Sequence, residues 1–308
     1  MSHQVCELET YHLPWGLTRL IHVCRAVLPA DVVLSMGLSL KTWLLVTLLG
    51  RPVLISHHTY LGGDGWNLRL KRWILRRSLH VANSVFLAEK LRELADLPRL
   101  PIALIHPCCP LECLAPQVGP DHPPMDSPGW DVTFVGRHIP DKGGQVLLAA
   151  LEKLAAFGCG SMAVAFLGAG PAQAEWQRLS LACGQRVSFL GSLPASEVAV
   201  ELRRSRLVVI PSLWQEPFGV VMLEALAAGC GVIASAVGGL PEAGAQLARY
   251  VPPGDVEALA DAIRNERTRP VPIDWAARHA HLERFRPERV AQLHLQEINR
   301  LLAARAAA

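Results

Sequence analysis

The sequence predicts an α/β protein made of two Rossmann-like domains. Three observations predict it. Short β-rich runs alternate with longer helical patterns along most of the chain, which is the signature of βαβ units around parallel sheets. A tract holding seven prolines, "HPCCPLECLAPQVGPDHPPMDSPGW" from His106 to Trp130, interrupts that alternation once and reads as an extended connector. At 308 residues, 51% of them hydrophobic, the chain exceeds one average domain and can fill two cores. The expected domains are 1–115, a proline-rich linker 116–130, and 131–280. A terminal helix within 281–308, "RPERVAQLHLQEINRLLAA", is expected to pack back towards the first domain.

In the first part, "ADVVLSMG", "RPVLISHH" and "SLHVANS" read as buried strands. The segments "LTRLIHVCRAVL", "LKTWLLVTLLG" and "FLAEKLRELADL" read as the helices around them. After the connector the strands are "DVTFVG", "MAVAFLG", "VSFLG", "RLVVIPS" and "GVIAS". They alternate with helices in "GGQVLLAALEKLAAFG", "PAQAEWQRLSLACG", "ASEVAVELRRS" and "FGVVMLEALAAG".

Composition excludes several function classes. A net charge of +3 with 19% charged residues is too mild for a nucleic-acid binder, though it admits anionic ligands. The eight cysteines show neither CxxC pairs nor ligand spacing, and the cluster Cys108, Cys109, Cys113 lacks a completing partner, so no metal site is expected. Scattered free cysteines and the absence of a secretory leader fit the cytoplasm. The most apolar region, Val32 to Ile55, is broken by Lys41 and Arg51, short of the roughly 20 residues a spanning helix needs.

The chemistry concentrates in "PSLWQEPFGVVMLEALAAG". A strand is expected to end at Pro211 and a helix to start near Pro217, where proline is tolerated in the first turn. Glu216 then lies in the loop before the helix, and Glu224 two turns along it, about 12 Å of rise away. That separation excludes a close acid/base dyad and suits two grips on one long ligand. The amides of Phe218, Gly219 and Val220, at the helix N-terminus, favour a phosphate between the grips. A sugar joined through a diphosphate to a nucleoside has that layout. The plainer alternative makes Glu216 a residue favoured by the helix macrodipole and Glu224 an exposed helix position. "FVGRHIPDKGG" places Arg137 and Lys142 after a strand, at the end of a parallel sheet where open α/β folds bind ligands. Arginine forks onto phosphate oxygens and lysine adds a point charge; the alternative is two solvated loop cations.

The motifs "GRHIPDKGG", "FLGAGP", "VSFLGSLP", "PSLWQEPFGVVMLEALAAGCGVIAS" and "VGGLPE", in this order between Asp131 and Glu266, resemble the retaining family 4 glycosyltransferases. The resemblance implies the GT-B fold, two Rossmann-like domains facing a cleft, with Glu216 and Glu224 as the family's E-x7-E pair. It implies that Glu224 holds the ribose hydroxyls, Glu216 the donor sugar, and Arg137 with Lys142 the diphosphate. It further implies that the Phe218 to Val220 amides face sugar and phosphate, and that Leu190 to Leu193 lie near the base. In the first domain, "VLISHHTY" resembles the strand whose following histidine faces the donor sugar, here His58 rather than His57; the alternative is a satisfied histidine at a strand end. Ser84 matches a serine that follows the next strand. "LIHPCCP" stands where the family has an Asn-Gly turn, and the family's first strand and glycine-rich loop do not appear before Val32, so this domain reads as incomplete.

One more segment stands out. In "WNLRLKRWILRRS", Arg69, Arg72 and Arg76 share one helical face, and Trp66, Leu70 and Trp73 another. This basic amphipathic helix fits peripheral contact with an anionic membrane at the inner face, or a solvated helix packing into its own domain. The expected activity is retaining, metal-independent sugar transfer from a nucleotide-sugar donor, with no cofactor. The acceptor is expected to be a glycan, a lipid-linked sugar or a small molecule. The alternative is an inactive nucleotide-sugar-binding remnant or partner subunit, motivated by the shortened first domain.

Overall fold

The computed structural model describes residues 17–37, 40–60, 65–109 and 129–306. Most of the expected linker and Cys113 lie outside them. The chain divides into two compact units: the first runs to Ile105 and takes in the chain from Gln292 onward, and the second is His106–Ala291.

The first unit alternates α1 (Leu17–Val27), β1 (Val33–Met36), α2 (Leu40–Leu48), β2 (Val53–His57), α3 (Gly65–Leu75), β3 (Leu79–Ala82), α4 (Val85–Ala95) and β4 (Ile102–Leu104). Its sheet is parallel throughout, in the order β1-β2-β3-β4. β2 is buried along its whole length, as its unbroken apolar run requires of an interior parallel strand. Helices cover both faces: Val23, Trp43, Val46 and Ile74 pack on one side of the sheet, and Leu87, Ala88 and Leu91 belong to a second cluster. The fourth strand, three residues at the sheet edge, goes beyond the three expected. A run that short carries too little periodicity to be read.

α4 shows how local chemistry sets an element. Ser84 is its N-cap and accepts from the Leu87 amide at 2.9 Å. At the other end, Arg72 Nε donates to the Leu94 carbonyl (2.9 Å) and Arg76 Nε to that of Ala95 (3.1 Å). Arg72 of α3 and Arg76 just after it, two of the three arginines expected on one basic face, therefore satisfy the last carbonyls of α4, where the helix dipole favours cations.

The second unit holds β5 (Trp130–Val135), α5 (Gly144–Ala156), β6 (Ala163–Leu167), α6 (Gln173–Ser180), β7 (Arg186–Gly191), α7 (Ala195–Arg203), β8 (Ser205–Ile210), α8 (Val220–Ala227), β9 (Gly231–Ser235), α9 (Leu240–Gly244), β10 (Arg249–Val251), α10 (Val256–Thr268) and α11 (Trp275–Leu282). The six strands are parallel, in the order β10-β9-β8-β5-β6-β7. One core cluster includes Phe134, Phe166, Trp176, Leu147 and Ile263; the other includes Val208, Met222, Leu223, Leu226 and Phe285. α9, β10, α10 and α11 go beyond the elements expected after Ser235. The terminal helix, α12 (Pro287–Ala306), starts in the second unit and groups with the first from Gln292 onward. Among the described residues no helix is long and apolar enough to cross a membrane.

Candidate functional site

Chain routing locates the site. β5 and β8 are neighbours, yet from β5 the sheet grows through β6 and β7, and from β8 through β9 and β10, in the opposite direction. At such a switch point the loops leaving the carboxyl ends diverge and leave room for a ligand. The two loops are Gly136–Gly143 and Pro211–Gly219.

They are stitched together by backbone. Asp141 O accepts from the Leu213 amide at 2.8 Å. Gly143 has φ +73°, and a Cβ there would lie 1.8 Å from Pro211 O, so only glycine permits the approach. A 3-10 turn at Pro140–Lys142 carries Lys142 to the opposite loop. There Lys142 Nζ meets Glu216 Oε1 at 2.5 Å, and Ser212 Oγ donates to the same oxygen at 2.7 Å. Lys142 Nζ also lies 5.6 Å from the centroid of the Trp214 ring. Glu216 is only 6% exposed, so its charge is held by these donors rather than by water.

The "VGGLPE" segment braces the same loop from behind. Gly239 N donates to Glu216 O at 2.7 Å. A Cβ on Gly238 would meet Glu216 O at 2.3 Å, and one on Gly219 would meet Leu240 Cδ2 at 2.4 Å. Glu216, Phe218 and Gly219 are thus fixed by glycines whose side-chain space is occupied by neighbours.

The helix that follows differs from expectation. It begins at Val220, not near Pro217, because Phe218 turns into the core and Gly219 takes a left-handed conformation (φ +101°) that a helix interior does not admit. The Val220 amide still lies in the first helical turn, where backbone donors have no intrahelical partner. Glu224 is one turn in, about 6 Å of rise from Val220. It is half-buried rather than exposed, and burial raises its carboxyl pKa. At the carboxyl end of this helix, buried Arg278 donates from Nη1 to Leu226 O at 3.1 Å. Burial lowers its pKa, partly offset by nearby Cys230.

The other predicted residues sit apart. Arg137 is exposed on the loop after β5, and among the described residues it forms no ion pair with Glu216. Leu190 is half-buried on β7, two strands from β5, roughly 10 Å across the sheet. Sequence reasoning missed Ser212 although it lies within the quoted motif. It also missed His106, whose Nε2 lies 2.7 Å from Glu242 Oε1 and whose ring centroid is 5.4 Å from those of Phe218 and Phe285. A pair 136 positions apart leaves no local signal. Buried His138, beside Arg137, packs against Phe134 and Trp176, and burial lowers its pKa; it belongs to the core.

In the first unit the two adjacent histidines have different surroundings. His57 ends β2 in the core, with Nε2 3.0 Å from His80 Nδ1, while His80 Nε2 lies 2.7 Å from the Leu75 carbonyl. The carbonyl can only accept, so His80 is protonated on Nε2 and presents a bare Nδ1, to which His57 donates from Nε2. Both rings are neutral: burial, with His80 and His58 adding, lowers the His57 pKa to about 3, and burial lowers that of His80. His58 follows the strand, half-buried, with Nε2 3.0 Å from Ser56 Oγ; burial and then His294 lower its pKa. Among the described residues no group of three or more His, Cys, Asp or Glu side chains is placed to hold a metal ion.

Residues 130–266, the stretch that holds every one of these second-unit loops, match the family described as Glycosyl transferases group 1. The segment is a group 1 glycosyltransferase domain. D-inositol 3-phosphate glycosyltransferase of Corynebacterium glutamicum is 34% identical to this chain over 164 residues, covering 48% of this chain and 38% of that protein. Phosphatidyl-myo-inositol mannosyltransferase of Mycolicibacterium smegmatis is 33% identical over 138 residues, covering 44% and 35%. The chain thus spans well under half the length of these curated relatives. Among solved structures, a glycosyltransferase from Rickettsia africae superposes with a TM-score of 0.78 at 18% identity, covering 96% of this chain and 84% of that one. Anabaena Alr3699/HepE in complex with UDP-glucose gives 0.72 at 21%, covering 94% and 84%. The group 1 domain and the parallel unit before it together have the GT-B fold.

Proposed function

We propose that the chain is a retaining glycosyltransferase that moves a sugar from a nucleotide-sugar donor to a hydroxyl acceptor without a metal ion. The observation that carries this reading is the Lys142–Glu216 pair at the switch point, on the loop that leads into α8. A cation for the diphosphate, a carboxylate for sugar hydroxyls and a second carboxylate further along the helix match the parts of such a donor in order. The relatives' names, an inositol phosphate glycosyltransferase and a mannosyltransferase, support transfer of a sugar, and the UDP-glucose complex of a similar fold supports the donor class.

In this reading Lys142, Arg137 and the α8 amide stabilise the charge that grows on the diphosphate as the glycosidic C–O bond breaks. The acceptor oxygen bonds to the anomeric carbon on the same face, and its proton passes to the departing phosphate oxygen, so no protein nucleophile is needed. Glu216 orients the sugar, Glu224 holds the ribose, Phe218 and Gly219 shape the phosphate end, and Leu190 lies towards the base. The acceptor class is a glycan, a lipid-linked sugar or a small molecule. The six described cysteines, all free, support a reducing compartment such as the cytoplasm.

The test is donor turnover by the parent and by Lys142→Ala, after a thermal-shift screen selects the donor. Because the cation acts most where charge develops, kcat is expected to fall on the order of 100-fold, about 2.7 kcal/mol of transition-state stabilisation. Added magnesium is expected to restore nothing. A raised KM with kcat intact would make Lys142 a uniform binder and overturn the leaving-group role.

A further inference from the structure

We infer that Ser212, Glu216 and Lys142 make the site prefer a sugar-bearing nucleoside diphosphate over the same nucleoside diphosphate without sugar. The inference rests on the function proposed above and assigns a specificity-determining role to Ser212. Both donors converge on one oxygen, Glu216 Oε1, and Oε2 takes no hydrogen bond among the described residues. The carboxylate is anchored in depth: its own backbone carbonyl accepts from Gly239 N, and Gly238 lies against that carbonyl where a Cβ would clash. Ser212 is buried at 1% exposure, so neither side of that bond turns readily to water.

The consequence follows from charge balance. Without ligand, Lys142 is already paired. A diphosphate draws Nζ away, because phosphate oxygens offer it more negative charge at the same reach. Glu216 then keeps only Ser212, and a buried carboxylate stripped of its cation is costly. A sugar next to the diphosphate supplies hydroxyl donors to Oε1 and Oε2 and removes that cost. The sugar-free diphosphate, which is the product, supplies none. It binds either with Glu216 stranded or with Lys142 still held by Glu216, and is weakened both ways. Product release is thereby built into the carboxylate that orients the donor.

The test is calorimetric titration of the full chain with three probe pairs: UDP and UDP-glucose, GDP and GDP-mannose, ADP and ADP-glucose. In the parent, one sugar-bearing member is expected to bind more tightly than its diphosphate. In Glu216→Gln the neutral amide carries no stranded charge and no longer holds Lys142, so the diphosphate is expected to bind about tenfold more tightly and the preference to collapse. Ser212→Ala removes the remaining donor, and the preference is expected to widen. In a Lys142→Met background, Glu216→Gln is expected to change diphosphate affinity less than twofold, since the competition is gone. Unchanged or weaker diphosphate binding by folded Glu216→Gln, or a full gain that persists without Lys142, would overturn the inference while leaving donor binding intact. An unchanged preference in Ser212→Ala would remove Ser212 from the device. Failure of the parent to bind any of the six probes would overturn the proposed function itself.

Discussion

The carboxyl ends of the two sheets are built on different principles. In the second unit the loops after β5 and β8 are locked by backbone: Gly143 lies against Pro211 O, Gly238 against Glu216 O, and Leu213 N on Asp141 O. The first unit uses side chains, with His57 and His80 relaying to the Leu75 carbonyl and Ser84 capping α4. Its turn glycine after β1, Gly37 (φ +94°), has nothing within 4 Å of where a Cβ would lie. Backbone stitching of this kind tolerates no added atom. Side-chain relays tolerate added volume nearby and are sensitive to protons instead.

Three measurements break or sharpen that contrast. The largest effect is expected from Gly143→Ala, where a positive φ, costing about 1–2 kcal/mol, adds to a clash with a carbonyl that cannot yield without moving β8's loop. A loss of roughly 3 kcal/mol or more is expected in urea unfolding. Gly37→Ala, with strain but open space, should lose only the strain. Equal losses would erase the distinction between the two ends.

The second measurement is pH dependence. The pKa of folded His57 is lowered to about 3, against about 6.5 for an unfolded histidine. Between those values the unfolded chain takes up a proton that the folded chain refuses, so stability falls as pH drops from about 6.5 towards 3. At pH 5 the His57 contribution to that loss is about 2 kcal/mol. Unfolding curves at pH 7.5 and pH 5 should show a smaller difference for His57→Gln than for the parent. An identical difference would mean that the relay does not exclude the proton.

The smallest effect on stability is expected from Glu224→Ala. Burial already disfavours its charge, and alanine is the best helix former, so stability should change by less than about 0.5 kcal/mol. Affinity for the nucleoside diphosphate should nevertheless drop by about 1.5–3 kcal/mol in calorimetry, from lost hydrogen bonds to ribose. An unchanged affinity would remove Glu224 from the donor's nucleoside end.

What the sequence makes legible here is whatever is local. The strands from "DVTFVG" to "GVIAS" announce themselves by period and composition, Lys142 by preceding Gly143 after a strand, and Glu216 by preceding Pro217 in the loop before a helix. Contacts between distant segments are not legible. Nothing in "PDKGG" tells that Gly143 abuts Pro211, 68 positions on, or that Asp141 accepts from Leu213. The start of α8 is misread because Pro217 satisfies the rule for a first helical turn, while the burial of Phe218 and the turn at Gly219 are decided by the core and by Leu240. The depth of Glu224 and the pairing of His57 with His80 depend on packing in the same way.

In the order β10-β9-β8-β5-β6-β7 the sheet grows away from β5 and β8 in opposite directions. Divergence of the chain at β5 and β8 separates the two loops at their carboxyl ends, so the place of the site follows from strand order rather than from the loop residues. Leu213 and Gln215 point outward on the loop while Gly143, Gly238 and Gly239 hold the frame. The two side chains are exposed, whereas an added Cβ at Gly143, Gly238 or Gly239 would meet backbone atoms. The scaffold thereby separates exposed loop positions from those fixed by close backbone approach.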